Sequence, residues 1–311
     1  METQATRDAY GKALVELGRL HEDIVVLDAD LSKSTKTAEF ARAFPERFFN
    51  AGIAEQNMMG MAAGLAAAGK KVFASSFAVF ATGRAFEQVR NSIAYGNLNV
   101  KICATHSGIT VGEDGGSHQS VEDIALMRSI PNMCVVVPAD GPSVRKALFS
   151  LYAREGPAYL RLGRPSVPVI YGEDSDFEVG KGIELKNGRD ASLIACGIMV
   201  NEALRAAEVL AAEGIDVSVI DMHTIKPIDK GLIVKKARET GAILCLEEHT
   251  VLGGLGSAVC EVVCEYCPVP VRRIGLNDVF GQSGSPDELL QHYGLTVDHI
   301  VQNIRSLVKN R

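Results

Sequence analysis

The chain carries no surplus of positive charge. Its 32 Lys and Arg stand against 38 Asp and Glu, a net charge of −6 with a pI near 5.7, which argues against nucleic acid as a general partner. Its N-terminus, "METQATRDAY", has no apolar core of the kind a secretory signal needs. Long apolar runs are missing too: uncharged stretches such as "VFASSFAVFATG" (72–83) are too short to span a bilayer, so no membrane segment is expected. The seven cysteines are an odd number. They are scattered through apolar sequence (Cys103, Cys134, Cys196, Cys245) or gathered in one helical pattern (Cys260, Cys264, Cys267), which fits reduced thiols and not a disulfide framework. No repeats or low-complexity tracts occur. These absences predict a soluble, cytoplasmic protein.

What is present has globular composition, 47% hydrophobic and 23% charged over 311 residues, enough for two domains. Short apolar β-rich runs recur from end to end: "IVVL" (24–27), "KVFAS" (71–75), "VKICAT" (100–105), "CVVVP" (134–138), "AYLRL" (158–162), then "SLIAC" (192–196), "DVSVID" (216–221), "AILCLE" (242–247) and "PVRRI" (270–274). Helix-period segments such as "GRAFEQVRNSIA" (83–94) and "NEALRAAEVLAAEG" (201–214) lie between them. Continuous apolar strands alternating with helices predict an α/β fold of two domains, each a mostly parallel sheet flanked by helices. The Pro-, Gly- and acid-rich stretch beginning at 164 breaks the pattern. The reading is a first domain over 1–170, a linker over 171–189 and a second domain over 190–311. Polar clusters follow the first-domain strands ("DADLSKS", "SSF", "HSGITVGEDGGSH"), and open α/β sheets bind ligands at the carboxyl ends of their strands, so that edge is the candidate site.

Within it, "NAGIAEQNMMGMAAG" (50–64) sets Glu55 at the start of a predicted helix over 53–68, ahead of Met58, Met59 and Ala62. A lone Glu there ordinarily supports the first helical turn. The small residues that follow allow close packing, and a desolvated carboxyl can hold a proton for donation. "THSGITVGEDGGSHQSVED" (105–123) offers His106, Asp114 and His118 in a glycine-rich loop ahead of a helix starting near Val121. Two histidines and a carboxylate are compatible with a metal, though no third close ligand is evident. The alternative is a polar loop whose glycines let its backbone approach a hydroxylated substrate. "CEVVCEYC" (260–267) has iron–sulfur-like spacing, but its i, i+4, i+7 pattern on a helix reads as a core-facing stripe of thiols. "GGLGSA" (253–258) is a weak phosphate-turn signal.

Taken in order, "ATRDA", "ADLSKS", "AGIAEQNMMGMAAGLA", "SSFAVFATGR", "GEDGGSHQ" with its preceding "TH" and following "PAD", and "RLGRPSVP" resemble the carboxyl-terminal section of transketolase, or the B subunit of a split transketolase, over nearly the whole chain. The resemblance implies a pyrimidine-binding domain followed by a C-terminal domain, with thiamin diphosphate shared with a partner subunit. It places Glu55 where the family's glutamate hydrogen-bonds the thiamin aminopyrimidine, and a carboxyl that donates this bond must carry a proton. Phe77 and Phe80 match aromatics of the cofactor wall, and Asp30 a residue near the cofactor. Arg7, Ser34 and Arg164 match residues that hold a sugar phosphate, and His106, Asp114 and His118 those that contact sugar hydroxyls, with the two histidines and Glu55 as catalytic groups. The implied reaction moves a two-carbon ketol unit from a phosphorylated ketose to an aldose, within pentose-phosphate metabolism.

Two departures qualify this. The Arg and His that commonly flank the family's glutamate are Ala54 and Gln56 here, so an ion pair in that neighbourhood is missing or comes from elsewhere. The sequence also contains no GDG, the mark of the module that binds Mg²⁺ and the diphosphate. The resemblance therefore implies that a complementary A subunit holds the Mg²⁺, in a heterotetramer. A deoxyxylulose-phosphate synthase-like activity, a 2-oxo acid dehydrogenase β subunit, and a structural subunit that only stabilises its partner are the alternatives.

Overall fold

In the computed structural model, which describes residues 2–172 and 174–309, each half of the chain builds a sheet of its own. The first half supplies β1 (Thr3–Ala5), β2 (Ile24–Asp28), β3 (Phe48–Asn50), β4 (Lys71–Ser75), β5 (Val100–Ala104), β6 (Cys134–Val136), β7 (Ala158–Arg161) and β8 (Ser166–Pro168). The second supplies β9 (Ile183–Lys186), β10 (Ala191–Ala195), β11 (Val217–Asp221), β12 (Thr224–Lys226), β13 (Ile243–Thr250) and β14 (Val271–Leu276). Strands β2, β5, β10 and β11 are buried along their whole length, as continuous apolar runs in a sheet covered on both faces must be.

The first sheet has the order β12-β6-β7-β5-β4-β2-β3, parallel except at β12. Helices Thr6–Leu20 and Gly141–Ala153 cover one face, packing Tyr10, Leu14 and Leu148 with Val26, Phe73 and Leu160. Helix Glu55–Ala67 and the segment 80–94 cover the other, packing Met58, Met59 and Ile93 with Val25, Val72 and Ile102. Residues on opposite faces alternate along β2, the period-2 signature of a strand. The second sheet, β14-β13-β10-β11-β9, is parallel except at β9.

Three features differ from the sequence reading. The stretch 171–189 is not all connection, because it includes β9, a half-buried edge strand paired antiparallel with β11. The second half also completes the first sheet: β12 pairs with β6, and Lys226 Nζ donates to the carbonyls of Arg128 and Ile130 at 3.0 and 2.6 Å. One apolar cluster accordingly runs through both halves, from Val135 to Ile194, Ile220 and Val259. Finally, the cysteine stripe does not face the core. Helix Leu255–Tyr266 buries Leu255, Ala258, Val259, Val262 and Val263, whereas Cys260 and Cys267 are half-buried and Cys264 is exposed. The valines win the core because branched apolar side chains bury more surface than thiols. Cys103, Cys134, Cys196 and Cys245 are buried.

Candidate active site

The polar loops gather beyond the carboxyl ends of β2, β4, β5 and β7. After β2, the buried Asp28 carboxyl accepts from the Leu31 amide (2.6 Å) and from the Thr35 and Thr37 hydroxyls (2.7 and 2.9 Å). Burial pushes this carboxyl up, and those three donors oppose the shift. The arrangement fixes the turn that presents the Ser34 carbonyl to Arg7, whose Nη1 donates to it at 3.3 Å. Asp30, at φ +62° in the same turn, is exposed and bonds with Asn50.

After β5 the chain reverses at His106, which sits in the left-handed region at φ +55°. Its ring stacks on Phe77 at 3.8 Å, Nδ1 lies 2.8 Å from Thr105 Oγ1, and Nε2 lies 3.2 Å from Arg7 Nη1. A guanidinium can only donate, so Nε2 accepts and the ring proton sits on Nδ1, pointing to Thr105. Burial lowers the His106 pKa to about 3, helped by Arg7, Arg164 and His118. The imidazole is therefore neutral near pH 7. His118 meets Phe77 edge-on at 6.4 Å and Phe80 at 5.6 Å, and its Nδ1 is 3.0 Å from Ser117 Oγ. Arg164 donates to the Val111 carbonyl and lies 3.4 Å from Glu113 and 3.8 Å from Asp114, tying the loop to the chain beyond β7.

Glu55 opens helix Glu55–Ala67 at 2% exposure, beside Met58, Met59 and Ala62. Its Oε2 accepts from Arg84 Nη1 at 2.9 Å, so the ion pair not found in the flanking sequence comes from Arg84. The Arg84 guanidinium also lies 4.6 Å over the Phe80 ring, and Phe80 is parallel to Phe77 at 6.0 Å. The segment that carries both residues is wound wide: the Ala85 amide bonds the Phe80 carbonyl and the Tyr95 amide bonds that of Arg90, each five residues back. A helix of this pitch turns its side chains to directions a regular helix would not give.

The structure thus joins Glu55, Arg84, Phe80, Phe77, His106, Arg7 and Ser34 in one continuous wall, with His118 against its aromatic middle. Asp114 and Arg164 stand together at its rim, and Asp30 lies apart with Asn50. Sequence reasoning missed Arg84: it closes the "SSFAVFATGR" run, but nothing in that run signals a pairing with a carboxyl 29 positions away. It also missed Asp28, whose only signal is an acid directly ahead of a turn containing two threonines. Among the described residues no group of three or more His, Cys, Asp or Glu is placed to hold a metal ion. "GGLGSA" does not present a free anion site. Glu247 occupies that helix start, accepting from the Leu255 and Gly256 amides at 2.7 and 2.8 Å.

The sequence matches two families, "Transketolase, pyrimidine binding domain" over residues 2–169 and "Transketolase, C-terminal domain" over 180–300. A Methanocaldococcus jannaschii protein described as a transketolase C-terminal section is 53% identical across 97% of this chain and 96% of its own length. The 6-deoxy-6-sulfo-D-fructose transketolase subunit SqwH of Clostridium sp. (strain MSTE9) is 42% identical across 100% and 97%. Among solved structures, a split gene transketolase described as an inactive β4 tetramer superimposes with a TM-score of 0.91 at 56% identity, covering 99% of each chain. The chain belongs to the transketolase family and carries its pyrimidine-binding and C-terminal domains.

Proposed function

We propose that this chain is the B subunit of a split, thiamin-diphosphate-dependent transketolase. It would move a two-carbon ketol unit from a phosphorylated ketose to an aldose, together with an A subunit that holds the diphosphate and Mg²⁺ in a cytoplasmic heterotetramer. The wall from Glu55 through Phe80 and Phe77 to His106 and Arg7 carries this reading. A nearly dry carboxyl beside two parallel aromatic rings fits a flat heterocycle that needs one hydrogen bond at a ring nitrogen. When bound, the cofactor supplies the electron sink that lets a carbon–carbon bond next to a carbonyl break.

The chain's own residues orient the reactants. Glu55, whose Oε2 holds Arg84, would meet the aminopyrimidine. Phe77 and Phe80 exclude water from one side of the ring. Neutral His106 offers Nε2 to a sugar hydroxyl when Arg7, which holds that nitrogen in the free chain, turns to the terminal anion, and His118 receives or returns protons at a second hydroxyl, Asp114 accepting from a third. Arg7 and Arg164 grip the terminal anion, with Ser34 beside them.

The test mixes the purified chain with its A partner, thiamin diphosphate and Mg²⁺. Xylulose 5-phosphate and ribose 5-phosphate should be consumed in equal amounts. Cofactor binding without turnover of any phosphoketose would overturn the substrate claim, and turnover with pyruvate as donor would favour the synthase-like alternative. A sulfonated ketose belongs in the same assay, because two arginines can grip a sulfonate as they grip a phosphate.

A further inference from the structure

Among the described residues the second domain contributes nothing to the wall itself, yet it closes on the loop that carries His106, Asp114 and His118. Glu248, on β13, is 4% exposed and reaches across to accept from the Thr110 amide at 2.7 Å. The fit is tight: a Cβ at Gly108, which has φ +74°, would lie 2.2 Å from the Glu248 carboxyl. The backbone of β13 is held to the first domain at this point and two residues beyond it. Arg161 Nη2 donates to the Glu248 carbonyl at 2.9 Å while its Nε pairs with buried Asp123 at 2.7 Å, and the Thr250 amide donates to the Val121 carbonyl at 2.7 Å. A second contact comes from the loop at 281–286. There Gln119 Nε2 donates to the Gln282 carbonyl at 2.9 Å, and a Cβ on Gly116 would sit 2.6 Å from the Gly281 carbonyl oxygen.

The geometry points to Glu248 as a positioning residue for the 106–118 loop: it sets the height of the sugar-contacting side chains from the other domain without touching substrate. This inference rests on the functional reading above and gives the C-terminal domain a task within it. The wall holds Glu55, Phe77 and Phe80 through first-domain elements alone, so loss of Glu248 should disturb sugar contacts and spare cofactor contacts. Glu248→Gln keeps an acceptor oxygen at the same reach, whereas Glu248→Ala leaves the Thr110 amide buried and unpaired.

The experiment uses the reconstituted complex with its partner, thiamin diphosphate and Mg²⁺. Glu248→Ala is expected to raise KM for the phosphorylated ketose about tenfold while the cofactor dissociation constant is unchanged, and Glu248→Gln to recover most of the loss. Gly116→Ala, which adds one methyl group against the Gly281 carbonyl, should raise KM in the same direction. An unchanged KM in Glu248→Ala overturns the inference, as does a loss of cofactor affinity equal to the loss in KM, because glue between domains would affect both or neither. Hydrogen exchange supplies a readout that needs no turnover: the Thr110 amide should lose protection in Glu248→Ala and keep it in Glu248→Gln. If the wild-type complex turns over no phosphoketose but the Thr110 amide behaves this way, the functional reading fails and the positioning role stands; unchanged exchange in Glu248→Ala overturns the positioning role itself.

Discussion

At the scale of single residues, two side chains carry the tests of the proposed chemistry. Replacing Glu55 by Ala in the assembled enzyme should cut turnover by about a hundredfold or more, the usual worth of one positioned hydrogen-bond partner at a reacting group, and steady-state rates on xylulose 5-phosphate check it. Full turnover in that variant would favour the structural-subunit alternative. His106 gives a pH prediction. Its folded-state value of about 3 lies below the ordinary 6.5, so between those limits the unfolded chain binds the extra proton. Stability should therefore fall as pH drops through about 6.5 toward 3, and His106→Asn should flatten that part of the curve, as urea melts across the range would show. In Arg7→Met the His106 titration, followed by NMR, should move upward but stay below 6.5, since burial is the larger cause and remains. That Glu55, Phe77 and His106 lie along one sheet edge was legible in the sequence, because each follows or precedes a recognisable strand. The partner of Arg84 was not: it depends on the winding of one segment and on a carboxyl held by a different helix.

At the scale of elements, β2, β4, β5, β10 and β11 could be read from the sequence because burial on both faces selects a short, mainly apolar run. Strands β9 and β12 could not, since edge strands of three or four residues with a mixed sequence carry no such mark. Helix Leu255–Tyr266 shows a different limit. Both of its faces hold apolar residues at helical spacing, so the periodicity did not decide between the valines and the cysteines. The turn after β2 gives the prediction at this scale. Asp28→Ala would take the shared acceptor from a half-buried amide and two buried hydroxyls, at a cost of about 2 kcal/mol, measured as a shift in urea midpoint at constant slope. A loss below about 1 kcal/mol would show that the turn does not depend on that carboxyl.

At the scale of the whole molecule, composition and the strand–helix rhythm were enough to give the α/β class. What they could not show is that the two halves share a sheet, because pairing between distant strands leaves no local trace. Strand β12 covers the open side of β6, and a fragment ending near residue 170 would expose that edge together with Val135 and Val136. Such an edge invites self-association, and size-exclusion chromatography should find this fragment aggregated while the full chain is not.

The same strand exchange decides what a broken backbone would mean. A protease that severs the chain at the exposed positions Asp174, Asp176 or Glu178 would cut a covalent tie without parting the halves. Denaturing gels should show two bands where gel filtration shows a single species of unaltered radius. The nicked protein would be a two-piece puzzle held by an interlocked tab, and its 106–118 loop would still feel the far piece pressing from behind.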